Sequence, residues 1–215
     1  LKTRSFFGLL RRSLAGSEKN FTSGSINKTI LLLSVPMVVE LLMESLFVCS
    51  NLFFVSRLGT NAISIAGATT TFITFCYSVS IGLGIAASAM ISRRIGEKKF
   101  KAAGQTTMQV IYATVPIAAL ISIVCTIWTS DIMSAMGLSD AMVEEGRTYG
   151  IVMFASSGFL ILRIVVNGIF RGVGDASTAM RILWLSNALN IVLCPVFIYG
   201  WGPVPAYGLL GVGLA

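Results

Sequence analysis

Long apolar runs broken by short polar turns dominate this chain, and their length decides what it can build. The run FITFCYSVSIGLGIAASAMIS, over 72–92, reaches the roughly 20 residues that carry a helix across hydrocarbon. The same criterion predicts spans near 29–55, 62–92, 106–129, 148–170 and 179–200, with a sixth starting at about Tyr207. The expected fold is all-α, a polytopic membrane helix bundle of five complete transmembrane helices plus the start of a sixth. Small residues cluster in the second span, at Gly67, Gly82, Gly84, Ala86, Ala87, Ser88 and Ala89, where they would let backbones approach closely. Pro36, Pro116 and Pro195 fall within spans and are expected to bend them. No internal repeat is apparent.

Composition strengthens this reading. Hydrophobic residues make up 55% of the chain and charged residues 12%, against about 25% charged in an ordinary soluble domain. The net charge of +7 raises the question of nucleic acid. The cations are confined to particular loops with no aromatic stacking pattern beside them, so no nucleic-acid partner is expected.

The loops alternate in sign. SRRIGEKKFK, at 92–101, is basic, whereas Asp131, Asp140, Glu144 and Glu145 make the following loop acidic apart from Arg147. Basic loops stay cytoplasmic. Segments 93–101 and 171–181 are therefore expected inside, together with a basic tail over 1–28 that sets Lys2, Arg4, Arg11, Arg12, Lys19 and Lys28 against Glu18. Arg57, the acidic loop and WGPVPAYG fall outside. Within the tail, FFGLLRRSL is either a short amphipathic helix on anionic lipid or simply part of a basic tail. No cleavable secretory signal is apparent, since the first apolar run starts near residue 29 and outlasts a signal core. The start at Leu1 reads as a fragment.

Polar residues inside the spans carry the candidate chemistry. A charge in hydrocarbon costs roughly several kcal/mol and is kept where it meets a partner or a wet cavity. Glu40, Glu44 and Asn51 fall within about 40° of one another around the first helix and so share a face. Arg163 and Asn167 stand one turn apart on the fourth span. Counting from the span edges puts Arg163 at the depth of Glu40, predicting an ion pair that leaves Glu44 to take up a proton or hold a cation. In the alternative, Glu40 and Arg163 merely lock two helices and Glu44 stays protonated as a hydrogen-bond donor.

Asn187 and Asn190 precede Cys194 and Pro195 on the fifth span and should face the bundle interior, bonding either a neighbouring helix or a ligand. Thr70 and Thr74, with Thr69 and Thr71, offer hydroxyls to a cavity or to their own helix backbone. Cys49, Cys76, Cys125 and Cys194 lack paired spacing and read as small buried hydrophobes. The chain has no His, no metal-ligand cluster and no nucleophile with a base, so neither a metal site nor an enzyme is expected.

Several phrases, in order, resemble the multidrug and toxic compound extrusion family: PMVVELLMESLF, FFVSRLGTNAISIAG, ASAMISRRIGEKK, FRGVGDASTAM and NIVLCPVFIYGWG followed by GLLGVGLA. The likeness covers about residues 26–215. It implies twelve helices in two six-helix lobes, of which this chain is most of the amino-terminal one, its carboxy-terminal partner lobe being absent. It further implies a cation-coupled antiporter in a plasma membrane, expected to be a bacterial inner membrane, that exchanges protons or sodium for small amphipathic or cationic compounds without a cofactor. Its partners would be the lipid bilayer, the small-molecule substrate and the missing lobe.

Many members of that family carry Asp at the positions aligning with Asn51 and Cys194. Both are non-acidic here, which moves the expected coupling to Glu40 and Glu44 or to the absent lobe. Arg171, Gly172, Gly174 and Asp175 form a GxGD-like stretch, read as loop structure at the start of the fifth helix. A lipid-linked oligosaccharide flippase of the same superfamily is the alternative function. Its cavity needs several cations for pyrophosphate, and Arg163 is the one clear intramembrane cation in the sequence reading.

Overall fold

The computed structural model describes residues 26–201 and 204–215, so the expectations for the basic tail lie almost wholly outside the described residues. The helices are α1 (Ile26–Ser56), α2 (Thr60–Gly96), α3 (Phe100–Ile127), α4 (Thr129–Ala135), α5 (Asp140–Val173), α6 (Ala176–Tyr199) and α7 (Leu209–Leu214). Five of these are long and apolar enough to cross a membrane, and α7 lies where the sixth span was expected. Several run further than hydropathy predicts: α3 starts at Phe100 and α5 at Asp140, absorbing polar ends that lie outside the apolar runs. Apolarity marks only the hydrocarbon stretch of a helix, whereas its backbone hydrogen bonding continues into the polar interface.

Two groups of helices make up the bundle. In one, α5 packs on α2, α3 and the short α4; in the other, α1 packs on α6, which also holds α7. The buried residues of α2, Ala62, Ile65, Thr69, Ile73, Cys76, Ser80, Gly84, Ala87 and Ile91, recur every three or four positions. This is the spacing of one helix stripe. Ile73, Cys76, Cys125 and Phe154 form one buried cluster, and Ile65, Met133, Val143 and Tyr149 another. Leu41, Leu42, Phe75, Leu120, Leu185 and Val192 are left exposed, as side chains facing acyl chains would be.

The α2–α5 contact depends on missing side chains. A Cβ on Gly168 would lie 2.5 Å from the Gly84 carbonyl oxygen, and one on Gly172 would lie 2.9 Å from Ser88 Cα. Gly84 and Ser88 face Gly168 and Gly172, each pair spaced by four, which is the small-xxx-small pattern of close membrane helices. Of the small residues noted in the sequence, Gly84 and Ser88 serve this contact; Gly67 and Gly82 have open space where a Cβ would be. Cys76, Cys125 and Cys194 are buried as expected, but Cys49 is exposed on the unpacked side of α1.

The turn into α6 is set by local chemistry. Gly174 adopts the left-handed conformation at φ 88, and the Asp175 N–H donates to the Phe170 carbonyl at 2.9 Å, closing α5 in a Schellman-type end. Asp175 then caps α6, accepting from the Thr178 N–H at 3.2 Å and from the hydroxyls of Thr178 and Ser177 at 2.7 and 2.9 Å. Burial acts to raise its pKa. The Thr178 and Ser177 hydrogen bonds and the Arg181 charge outweigh burial and hold the carboxyl below the ordinary aspartate value. The stability it contributes is therefore present above the unfolded aspartate pKa and is lost as pH falls through the lower folded value. Asp175→Ala is expected to cost about 1 kcal/mol, read as a lowered melting temperature in detergent at pH 7 and a smaller difference from the parent in acid.

Candidate functional site

The site is a ladder of polar side chains across the seam between the two helix groups. On α1, Glu40 and Glu44 stand one turn apart; on α5, Arg163, Asn167 and Arg171 repeat at the same four-residue interval. Residues four apart lie on one helix face, so each helix presents a single polar stripe. The stripes meet: Arg163 Nη2 lies 3.7 Å from Glu44 Oε1, the Asn167 amide donates to Glu40 Oε1 at 3.2 Å, and Arg171 Nη1 lies 3.8 Å from Glu40 Oε2. The backbones of α1 and α5 hardly approach each other. Long side chains span the gap.

This corrects the expected pairing of Glu40 with Arg163. Glu40 takes Asn167 and Arg171, and Arg163 faces Glu44, which therefore has a cationic neighbour after all. The register is displaced by about one turn from the one counted from hydropathy edges, which do not fix how far one helix slides along another; α5 itself runs on past 170 to Val173. Arg171 lies beyond the hydropathy edge at 170 and so reads as loop in the sequence, although it belongs to α5. Its position eight residues beyond Arg163 is the signal that would have placed it on the stripe.

The two carboxylates differ in surroundings. Glu40 is buried, and among the described residues its Oε2 has no hydrogen-bond partner although Arg171 is near. The Glu44 side chain is 47% exposed and Arg163 29%. Tyr77 of α2, partly buried, has its hydroxyl beside this second pair. Neither guanidinium is within hydrogen-bonding distance of its carboxylate, so both are charge contacts with room between the partners.

The α1–α6 face carries the remaining candidates. The Asn187 amide donates to the Met43 carbonyl at 2.8 Å, tying α6 to α1 one residue from Glu44. Cys194 Sγ lies 3.9 Å from Asn51 Oδ1. Asn190, between them on α6, is buried, and its Oδ1 has no hydrogen-bond partner among the described residues. Two deeply buried acceptors, one on Glu40 and one on Asn190, are thus unsatisfied. Such groups are costly unless a proton, water or cation reaches them.

Among the described residues, no hydrogen bond joins Thr70 or Thr74 to the ladder. Both are exposed, and the Thr74 hydroxyl donates to the Thr70 carbonyl of its own helix at 2.9 Å. They share a helix stripe with Tyr77 by spacing. Among the described residues no group of His, Cys, Asp and Glu could hold a metal ion.

The MatE family model matches residues 36–196, three quarters of the chain and every rung of the ladder. The chain belongs to the MatE family. Among curated relatives, the FAD transporter of Shewanella oneidensis is 25% identical over 193 residues, covering 90% of this chain and 43% of that protein. The probable multidrug resistance protein YoeA of Bacillus subtilis is 26% identical over 195 residues, covering 89% and 42%. A solved MOP superfamily transporter from Pyrococcus furiosus superposes with a TM-score of 0.81 at 29% identity, over 90% of this chain and 42% of that one. The chain therefore spans somewhat under half the length of these MatE-type proteins. With the five long apolar helices, membership makes it a multi-pass membrane protein.

Proposed function

We propose that the full-length protein is a cation-coupled secondary antiporter that exchanges protons or sodium for small amphipathic or cationic compounds, and that this chain is its amino-terminal lobe. The carrying observation is the Glu44–Arg163 contact, open on one side and 3.7 Å apart. A carboxylate so placed can trade its arginine for an incoming cation, whereas the buried Glu40 is held by Asn167 and Arg171 and sets the position of α1. Driving ion and substrate then compete for one charge, which is the requirement for exchange. The likeness to an FAD transporter and to a probable multidrug resistance protein supports a small-molecule cargo. The basic turns lie on the cytoplasmic side, with the amino terminus.

Asn51 and Cys194 adjoin each other but carry no acid, so within this lobe coupling falls to the α1 carboxylates. Glu44→Gln in the full-length protein is expected to abolish gradient-driven efflux from proteoliposomes while lowering the melting temperature less than Glu40→Ala does, since Glu44 is 47% exposed and Gln keeps an acceptor beside Arg163. Unchanged efflux with an unchanged pH response would remove Glu44 from the mechanism. Arg171 adds a second cation to the seam, yet both arginines face carboxylates. The excess positive charge that a pyrophosphate-bearing lipid demands is absent from this cluster, and a flipping assay on the same proteoliposomes separates the two activities.

A further inference from the structure

At the opposite end of α2 from Thr60, away from the ladder, the turn into α3 gathers Arg93, Arg94, Lys98, Lys99 and Lys101 around one carboxylate, Glu97. Glu97 accepts from Arg93 Nε at 3.1 Å and lies 2.9 Å from Lys99 Nζ. The Lys99 and Arg93 hydrogen bonds hold its carboxyl below the usual glutamate range, so it stays ionised and its charge is spent on those two cations. Arg94, half-buried, and the exposed Lys98 and Lys101 have no carboxylate contact among the described residues. A half-open pocket of about 340 Å³ lies among Met90, Arg93, Arg94, Glu97 and Lys99.

The backbone of this turn is already engaged. The N–H groups of Glu97, Lys98 and Lys99 donate to the carbonyls of Arg93, Ile95 and Arg94 at 2.9 to 3.0 Å. An anion here would be held by side chains. Met90 and Phe100 flank the cations in sequence and are 45% and 68% exposed, and the apolar run of α2 gives way to Ser92, Arg93 and Arg94 just after Met90 and Ile91. A turn at the end of an apolar span is where a membrane protein meets lipid headgroups, and the pocket lining combines Arg93, Arg94 and Lys99 with the apolar Met90.

We propose that this pocket binds the phosphate-bearing headgroup of an anionic membrane lipid, with Arg94 as its principal ligand, Lys98 and Lys101 at the rim, and the acyl chains lying against Met90 and Phe100. Topology alone would account for the sign of the loop. It does not account for a pocket lined by Arg93, Arg94 and Lys99 with the apolar Met90 beside them. Guanidinium suits phosphate because it can donate two parallel hydrogen bonds to the oxygens. The lysines add attraction worth about a fivefold change in binding for each cation near an anionic surface. Glu97 opposes the bound phosphate, so it limits affinity. This inference does not depend on the antiport reading.

The test is native mass spectrometry of the full-length protein released from nanodiscs of mixed phosphatidylglycerol and phosphatidylcholine. The parent is expected to retain phosphatidylglycerol preferentially. Arg94→Gln should weaken that preference by about tenfold or more, and the surface pair Lys98→Gln with Lys101→Gln about fivefold for each lysine. Glu97→Gln should strengthen it severalfold, an effect that loss of folding cannot imitate. Equal retention of the two lipids by the parent would overturn the proposal. So would an unaltered preference in folded Lys98→Gln/Lys101→Gln protein, or displacement of the lipid by millimolar inorganic phosphate, which would indicate a site for soluble anions.

Discussion

Glu40→Ala is expected to destabilise the full-length protein by about 3 kcal/mol and to eliminate transport. The carboxylate is buried, accepts from Asn167 at 3.2 Å and lies 3.8 Å from Arg171. Removing it leaves the Arg171 guanidinium, itself 29% exposed, without its acid. The cost of such a change comes mostly from the stranded charge, not from loss of a favourable pair. Glu40→Gln keeps the volume and an acceptor for Asn167, so its stability loss should be smaller. Adding Arg171→Gln to Glu40→Gln should restore part of that loss in a double-mutant cycle of melting temperatures. If Glu40→Gln alone still supports ion-driven efflux, Glu40 serves only to join the helices and Glu44 carries the coupling alone.

The second large effect belongs to Gly168. Alanine there is expected to cost about 3 kcal/mol or more, at the upper end of overpacking penalties. Its Cβ would lie 2.5 Å from the Gly84 carbonyl oxygen and 2.8 Å from Gly84 Cα, and neither backbone atom belongs to a side chain that could turn aside. The helices must part, and Asn167, adjacent in sequence, moves with α5. Gly82→Ala is the control: nothing lies within 4 Å of its added Cβ, so it should be neutral or slightly stabilising, since glycine weakens a helix interior. Matching losses in the two variants, measured by thermal unfolding in detergent, would contradict close α2–α5 packing as the cause.

Much of this architecture was legible in the sequence because the bilayer imposes one rule on every span. Length and apolarity located all five helices. The shared face of Glu40 and Glu44 followed from helical spacing, as did the inward-facing Asn187 and Asn190. The partners of those acids were not legible. Pairing depends on how far one helix slides along another, and hydropathy edges fix that only to within a turn. Arg171 shows the difficulty, since its neighbours Gly172 and Gly174 read as loop while the backbone carried α5 on to Val173. The unsatisfied oxygen of Asn190 had no sequence signal either, because satisfaction depends on which groups stand opposite.

Equal intervals on the facing stripes of α1 and α5 give their contact a discrete choice of alignments. Two acids four residues apart meet three nitrogen-bearing side chains at the same interval, so the rungs match in more than one position. Displacing α1 by one turn, about 5.4 Å, would bring Glu44 opposite Asn167 and leave Glu40 beside Arg171. Each acid would still face a donor. Such a step would keep Glu40 beside its cation while Glu44 exchanged the Arg163 charge for the neutral Asn167 amide, so only one counter-charge would have to be replaced, as by an incoming cation or proton.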